Sequence, residues 1–320
     1  MKIYLLLIML LACESTEAQT RVTRIGVLFH DMERAESQAM KGVGAMLKQQ
    51  GYQERKNFIF ETRNAKGNPG ALPSAASALL VKKVDLIFTT GTRATLAAIT
   101  AARGIPIVFV HGGDPVRSGL LINPSDPARN VTGVAAYAAE TTGKRLMLFK
   151  EILPALRKVY IFYDANSQSS RNNLAHAESA AKQLALVIRA YGIKSADELK
   201  TTLGNLQGEN DAAIFQIADD LVENEAKFVF ATGRQKKLPT MFNEESWAIA
   251  GATAAYGPSY LEMGRLAGRL IDQIIKGNSP ASLPIARASK FDLTLNYRTA
   301  NYIGIEFPKE ILQKADKVIR

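Results

Sequence analysis

The stretch VDLIFTTGTRATLAAITAARGIPIVFVHGGDP, Val84 to Pro115, decides the fold. An apolar run from Val84 to Phe88 ends in Thr-Thr-Gly, a helical pattern follows from Thr92 to Ala102, and a second apolar run, Pro106 to Val110, ends in Gly112-Gly113-Asp114-Pro115. This is strand, helix, strand. Both runs are nearly continuous in Val, Ile and Phe, as parallel strands are when helices cover both faces. In open α/β sheets ligands sit beyond the carboxyl ends of the strands, which makes Thr89 to Arg93 and His111 to Asp114 the first positions to weigh.

Outward from this core the same alternation continues in both directions. Before it come a strand at Ile25 to Phe29 that stops at His30-Asp31, a helix at Ala35 to Gln50 and a strand at Phe58 to Thr62. After it, SGLLINPSDPARNVTGVAAY reads as a Pro/Asn-rich loop that crosses out of the first lobe. From Glu140 the βα series restarts, with a single helix expected over Asp220 to Phe230, and a long helix at Leu261 to Lys276 follows Gly257-Pro258. The tail reads as a strand, a short helix and a terminal helix after Pro308. A restart of this kind predicts two doubly wound αβα lobes. We place residues 20–138 plus 258–286 in the first and 139–257 plus 287–320 in the second, joined by a hinge of several strands. Such a clamshell closes on a solute.

The 320 residues are 47% hydrophobic and 22% charged, the composition of a globular protein. Residues 1–19 read as a signal or lipoprotein segment: Lys2, then the run IYLLLIMLLA, too short to span a bilayer, then the single cysteine, Cys13. Leu10-Leu11-Ala12-Cys13 resembles a lipobox, with Cys13 as the lipidated residue; cleavage near Ala18 is the competing reading. The expectation is an exported, lipid-anchored protein in the periplasm. A net charge of +10 raises the question of nucleic acid, but the basic residues are scattered and lack interleaved aromatics or a known motif, so no nucleic-acid partner is expected. Enzymatic signatures are missing too. Gly42-Val43-Gly44 lies inside a helical pattern, and there is neither a phosphate-binding Gly-x4-Gly-Lys loop nor a Gly-x-Ser-x-Gly elbow. Three dispersed histidines, His30, His111 and His176, support no metal site, and no cofactor is expected.

Five stretches together resemble a known family: GTRATLAA from Gly91, GDPVRSGLL from Gly113, NVTGV from Asn130, YGPSYLEMGRLAGRLIDQIIKGNSPASLPI from Tyr256, and FDLTLNYRTANYIGIEFPKEILQKADKVI from Phe291. Their order and spacing are similar to those of extracytoplasmic ABC-transporter substrate-binding proteins of the tryptophan/tyrosine-binding type. The resemblance implies a monomeric two-lobed protein of the type I periplasmic-binding-protein fold, not an enzyme, that delivers a small polar solute, often an amino acid, to a membrane permease driven by a separate ATPase subunit. The alternative is a ligand sensor that signals to a membrane receptor such as a histidine kinase or cyclase. The chain departs from the aromatic amino-acid branch at His30-Asp31-Met32-Glu33 and at Arg93.

Thr90-Gly91-Thr92 stands at a helix start, where unpaired amides and the positive end of the helix dipole favour a carboxylate, although Thr92 would equally serve to cap its own helix. Arg93 either completes a carboxylate clamp or points to solvent. Asp114 suits a ligand ammonium, or fixes the Asp-Pro turn. Asp219 is the rival ammonium partner, with helix capping as its other role. His30, at the end of the first strand, touches ligand or satisfies its loop. Asn166, Asn243, Glu244 and Tyr256 lie at strand ends of the second lobe, where they would close over the ligand. Tyr163 or Tyr256 either stacks on an aromatic or apolar group of the ligand or serves in the core or hinge.

Overall fold

Strands rich in Val, Ile and Phe alternate with helices that carry one apolar stripe, and the two kinds of element sort into sheets with helices on both faces. The computed structural model describes residues 22–31, 34–102, 104–121 and 130–320; Cys13 and the rest of the expected signal segment lie outside them. The first lobe runs β1 (Thr23–Phe29), α1 (Arg34–Gln49), β2 (Phe58–Asn64), α2 (Leu72–Val81), β3 (Leu86–Thr90), α3 (Gly91–Ala101), β4 (Ile107–His111) and β5 (Val131–Ala135). The second runs α4 (Thr142–Ile152), β6 (Lys158–Asp164), α5 (Gln168–Gln183), β7 (Val187–Ile193), α6 (Ala196–Asn205), β8 (Ala212–Phe215), α7 (Asp220–Asn224), α8 (Ala226–Gln235), β9 (Thr240–Phe242), α9 (Glu245–Ala250) and β10 (Ala254–Pro258). The chain then returns through α10 (Tyr260–Ile275) and β11 (Ala286–Arg287). It ends with β12 (Phe291–Asn296), α11 (Tyr297–Tyr302), α12 (Lys309–Lys314) and β13 (Lys317–Ile319).

The first sheet has the order β11-β5-β4-β3-β1-β2, and its pairings are parallel. The second has the order β13-β12-β10-β9-β8-β6-β7, parallel except where β12 runs against β10. The chain passes between the sheets from β5 to β6, from β10 to β11 and from β11 to β12. Several crossings at one edge are the arrangement of a hinge between two lobes. The mixed α/β architecture with two largely parallel sheets is the expected two-lobe fold.

Three local expectations need correction. The segment before Tyr137 is not all loop: Val131–Ala135 is β5, which pairs in parallel with β4. Gly133 disguises it, because glycine is a weak strand signal, yet a Cβ there would sit 2.4 Å from the Phe109 carbonyl oxygen. The single helix expected from Asp220 breaks at Glu225 into α7 and α8. The tail after Pro308 forms only a short helix before β13 adds to the edge of the second sheet.

Large buried side chains fill both faces of each sheet. In the first lobe Ile25, Val27, Phe29, Phe88, Val108 and Val110 pack against Val43 and Leu47 of α1 and Met263, Ala267 and Ile271 of α10. Full burial of each such side chain stabilises the fold by about 1.5 to 3 kcal/mol. The α1–α10 contact depends on glycine. A Cβ on Gly42 would lie 2.1 Å from the Leu261 carbonyl oxygen, and one on Gly264 would lie 2.0 Å from that of Ala39. Gly42, which has no part in nucleotide binding here, lets two helix backbones touch. That contact fixes α10, and so Tyr260 at its start, to the first lobe.

Candidate functional site

A cleft of about 790 Å³ opens between the lobes at the carboxyl ends of their parallel strands. From the first lobe it is lined by Gly91, Thr92 and Arg93 at the start of α3, and by His111, Gly112, Gly113 and Asp114 after β4. From the second it is lined by Asp164, Asn173, Asp219, Asp220, Glu223, Asn243 and Glu244. Of the sequence-derived candidates, the fold thus gathers Gly91, Thr92, Asp114, Asp219 and Asn243, together with Arg93 and Glu244. His30, Thr90, Asn166 and Tyr256 are not among the lining residues. Asn166 is exposed in the turn after β6. Tyr256 stacks on Phe291, ring centroids 5.9 Å apart, and packs with Tyr163 against the core of the second lobe.

The start of α3 is built for close approach. Gly91 has φ +71, a left-handed conformation that suits glycine, and Thr90 at the N-cap makes no side-chain cap bond. Thr90 Oγ1 and His30 Nε2 are buried atoms without a hydrogen-bond partner among the described residues. Gly91, Thr92 and Arg93 thus bring the first turn of an eleven-residue helix, with its positive dipole end, to the lining of the cleft.

Two of the candidate carboxylates are already engaged by backbone. Asp114 Oδ1 accepts from the amides of Val116 (2.9 Å) and Arg117 (3.3 Å), which fixes the turn, while Oδ2 has only the exposed Arg117 guanidinium at 3.6 Å. Asp219 is more fully committed: Oδ1 caps α7 through the Val222 amide (3.0 Å), and Oδ2 accepts from the Asp164 amide (2.7 Å).

Several lining residues were not singled out in the sequence. Glu223, one turn beyond Asp219, accepts through Oε1 from Gln216 Nε2 (2.8 Å) and Asn243 Nδ2 (3.0 Å). Burial, and then the nearby Glu244 carboxylate, push its pKa up to about 8, so at neutral pH it is mostly protonated. Gln216 is held in turn by Arg145, 2% exposed, which donates to the Gln216 carbonyl oxygen (2.5 Å) and Oε1 (3.2 Å) and lies 4.7 Å over the Phe215 ring. Burial lowers Arg145 to about 9, which still leaves it charged at neutral pH. Across the cleft, Tyr260 of the first lobe donates its hydroxyl to Glu244 Oε1 of the second at 2.7 Å. Gly112 leaves room for this inter-lobe bond, since a Cβ there would be 2.8 Å from the Tyr260 hydroxyl. A smaller cavity of about 230 Å³ shares Ala35, Glu244 and Tyr260 with the cleft.

His111 is neutral, because burial pushes its pKa down to about 4 against an opposing pull from Asp114. Its Nε2 lies 3.0 Å from Ser118 Oγ, and that hydroxyl gives its one proton to the Asp114 carbonyl oxygen (2.8 Å). The imidazole proton therefore sits on Nε2. Among the described residues no group of His, Cys, Asp and Glu has the arrangement of a metal site, and no helix is long and apolar enough to cross a membrane.

The lining is acidic although the whole chain is basic. Glu36, Asp114, Glu140, Asp164, Asp219, Asp220, Glu223 and Glu244 stand against Arg93 and Arg117. A two-lobed protein with a polar, acid-lined cleft and a helix N-terminus within it has the form of a solute receptor, and sequence comparison agrees: the ABC transporter substrate-binding protein model matches residues 25–319. The chain belongs to that family. This substrate-binding protein is 26% identical over 268 residues to a tyrosine-binding protein of Clostridioides difficile, a match that covers 84% of the chain and 77% of the relative. Its fold is similar to that of an ABC domain in complex with L-Trp from Streptococcus pneumonia, with a TM-score of 0.75 and 21% identity over 93% of this chain and 100% of that one. It is similar also to the ligand-free, open structure of a substrate-binding protein with adhesive properties from Clostridium difficile, with a TM-score of 0.74 and 24% identity over 93% and 99% of the two chains.

Proposed function

We propose that this protein is the extracytoplasmic receptor of an ABC importer and captures an amino acid in the inter-lobe cleft for delivery to a membrane permease. The observation that carries the reading is the open first turn of α3, facing an acid-lined cleft of about 790 Å³. The α-carboxylate accepts from the amides at Gly91 and Thr92 and is paired by Arg93, and the α-ammonium is taken by Asp114, whose Oδ2 has only a long contact to Arg117. Both groups of the amino-acid head thus dock on the first lobe. Residues 20–138 with 258–286, and 139–257 with 287–320, then swing together as two bodies, and the closed form is what the permease recognises. Names of relatives that bind tyrosine and tryptophan support the amino-acid class. Lipidation at Cys13 would keep the receptor at the membrane surface.

Differential scanning fluorimetry against the twenty amino acids tests this. A ligand at a hundred times its Kd stabilises the folded state by about 2.7 kcal/mol, a rise of several degrees in Tm. Asp114→Ala should abolish the rise; because it also frees the Val116 and Arg117 amides, it should lower the unliganded Tm by a few degrees, and the ligand effect is read against the variant's own unliganded Tm. If no amino acid shifts Tm, the reading is wrong.

A further inference from the structure

The second-lobe wall of the cleft holds two buried acceptors that no donor meets among the described residues. Asn173 of α5, 3% exposed, donates Nδ2 to the Ala218 carbonyl oxygen at 2.8 Å, which fixes the orientation of its amide. Its Oδ1 is buried at the cleft lining and has no partner among the described residues. Asn243 repeats the arrangement, with Nδ2 given to Glu223 and Oδ1 buried without a partner. Two such oxygens, left unpaired in the folded protein, each carry a desolvation cost that a ligand donor would remove. Beside them Glu223 is bonded only to neutral amides, and neither it nor Asp220 forms an ion pair with Lys or Arg among the described residues. The first-lobe tyrosines that line the cleft are engaged: the Arg287 guanidinium lies 4.4 Å over the Tyr137 ring, and the Tyr260 hydroxyl donates to Glu244.

We propose that this wall binds the basic end of the ligand's side chain, so that the substrate class is a basic amino acid, with a guanidinium as the best-fitting group. The proposal rests on the amino-acid reading above and extends it from the head of the ligand to its tail. A planar guanidinium has five N–H donors in a fixed fork and no acceptor, which complements a wall of Asn173 Oδ1, Asn243 Oδ1 and Glu223, whose carboxyl, mostly protonated in the unliganded protein, releases its proton to solvent as the cation docks. An indole or phenol ring would place carbon against these oxygens and leave them unpaired.

Isothermal titration calorimetry of the protein with L-arginine, agmatine, L-tyrosine and L-tryptophan tests the assignment. L-Arginine should bind at least tenfold more tightly than either aromatic amino acid. Agmatine, which lacks the carboxylate, should bind more weakly than L-arginine. Glu223→Gln, which keeps shape and acceptor but cannot lose a proton to pair with the bound cation, should weaken L-arginine about tenfold to a hundredfold. If L-tyrosine or L-tryptophan binds and L-arginine does not, the basic class is overturned while the amino-acid reading stands. If no amino acid in the wider panel binds, both fall together. Equal L-arginine affinity in Glu223→Gln would also overturn the assignment, since the charge of the wall would then be irrelevant.

Discussion

Glu223→Gln should make the unliganded protein more stable at neutral pH. The carboxyl is raised from its ordinary 4.5 to about 8 in the folded chain, first by burial and then by Glu244. Between those values the folded state holds a proton that the unfolded state has released, so stability falls as pH rises from 4.5 towards 8 and is unaffected by this group below 4.5. At pH 7 the unfolded carboxyl is about 2.5 units above its pKa, and at about 1.4 kcal/mol per unit the folded protein gives up about 3 kcal/mol. Glutamine has no proton to hold, and its Oε1 still accepts from Gln216 and Asn243, so the packing and both hydrogen bonds survive. Urea denaturation of wild type and variant at pH 4, 5.5 and 7 measures the effect. The expected gain is about 2 to 3 kcal/mol at pH 7, about half that at pH 5.5 and close to zero at pH 4. A variant less stable than wild type at pH 7, or equally stabilised at all three values, would refute the argument that a strained carboxyl is kept in the cleft at the expense of stability.

Two further changes test the frame around the site. Gly42→Ala forces a Cβ to 2.1 Å from the Leu261 carbonyl and should cost about 3 kcal/mol, whereas Gly44→Ala, with nothing within 4 Å and two residues further along the same helix, should gain up to about 1 kcal/mol; thermal melts of the two variants should move in opposite directions. His111, held neutral with a pKa of about 4 against an ordinary 6.5, costs stability as pH falls from 6.5 towards 4, by about 2 kcal/mol at pH 5. His111→Asn should flatten this acid limb while the alkaline limb set by Glu223 remains, and an unchanged acid limb would show that the imidazole is not responsible.

The fold was readable because parallel strands covered on both faces must be apolar throughout, and β1, β3, β4 and β6 announce themselves in that way. What was hidden had a local reason. In β5 the sequence carries Gly133 where Phe109 leaves no room for a Cβ, so the strand looks like a loop. The break between α7 and α8 carries no proline or glycine, and β13 is three residues at the chain end whose strand state depends on pairing with β12. None of these is decided by neighbours in sequence.

The rule that ligands gather beyond strand ends picks out places rather than side chains. It led to Asp219, yet this residue caps α7 through the Val222 amide and also accepts from the Asp164 amide at the end of β6, so both of its oxygens are engaged. A carboxylate so engaged has little capacity left for a ligand. The carboxyl with capacity lies one turn further on, at Glu223, because positions four apart share a helical face and the second of them is no longer beside unpaired amides. Asn173 follows the same logic from α5: it sits at the spacing of the buried residues Ala177 and Ala181, where the pattern alone suggests core, and only the Ala218 carbonyl that takes its Nδ2 shows which end of the amide is left over. A polar residue on the buried face of a helix near a strand end is therefore worth a hydrogen-bond count before it is assigned to the core. At this cleft that count separates Asn173 and Asn243, whose amide oxygens have no partner, and Glu223, whose Oε2 accepts none of the hydrogen bonds found among the described residues, from Asp219, which has both oxygens engaged.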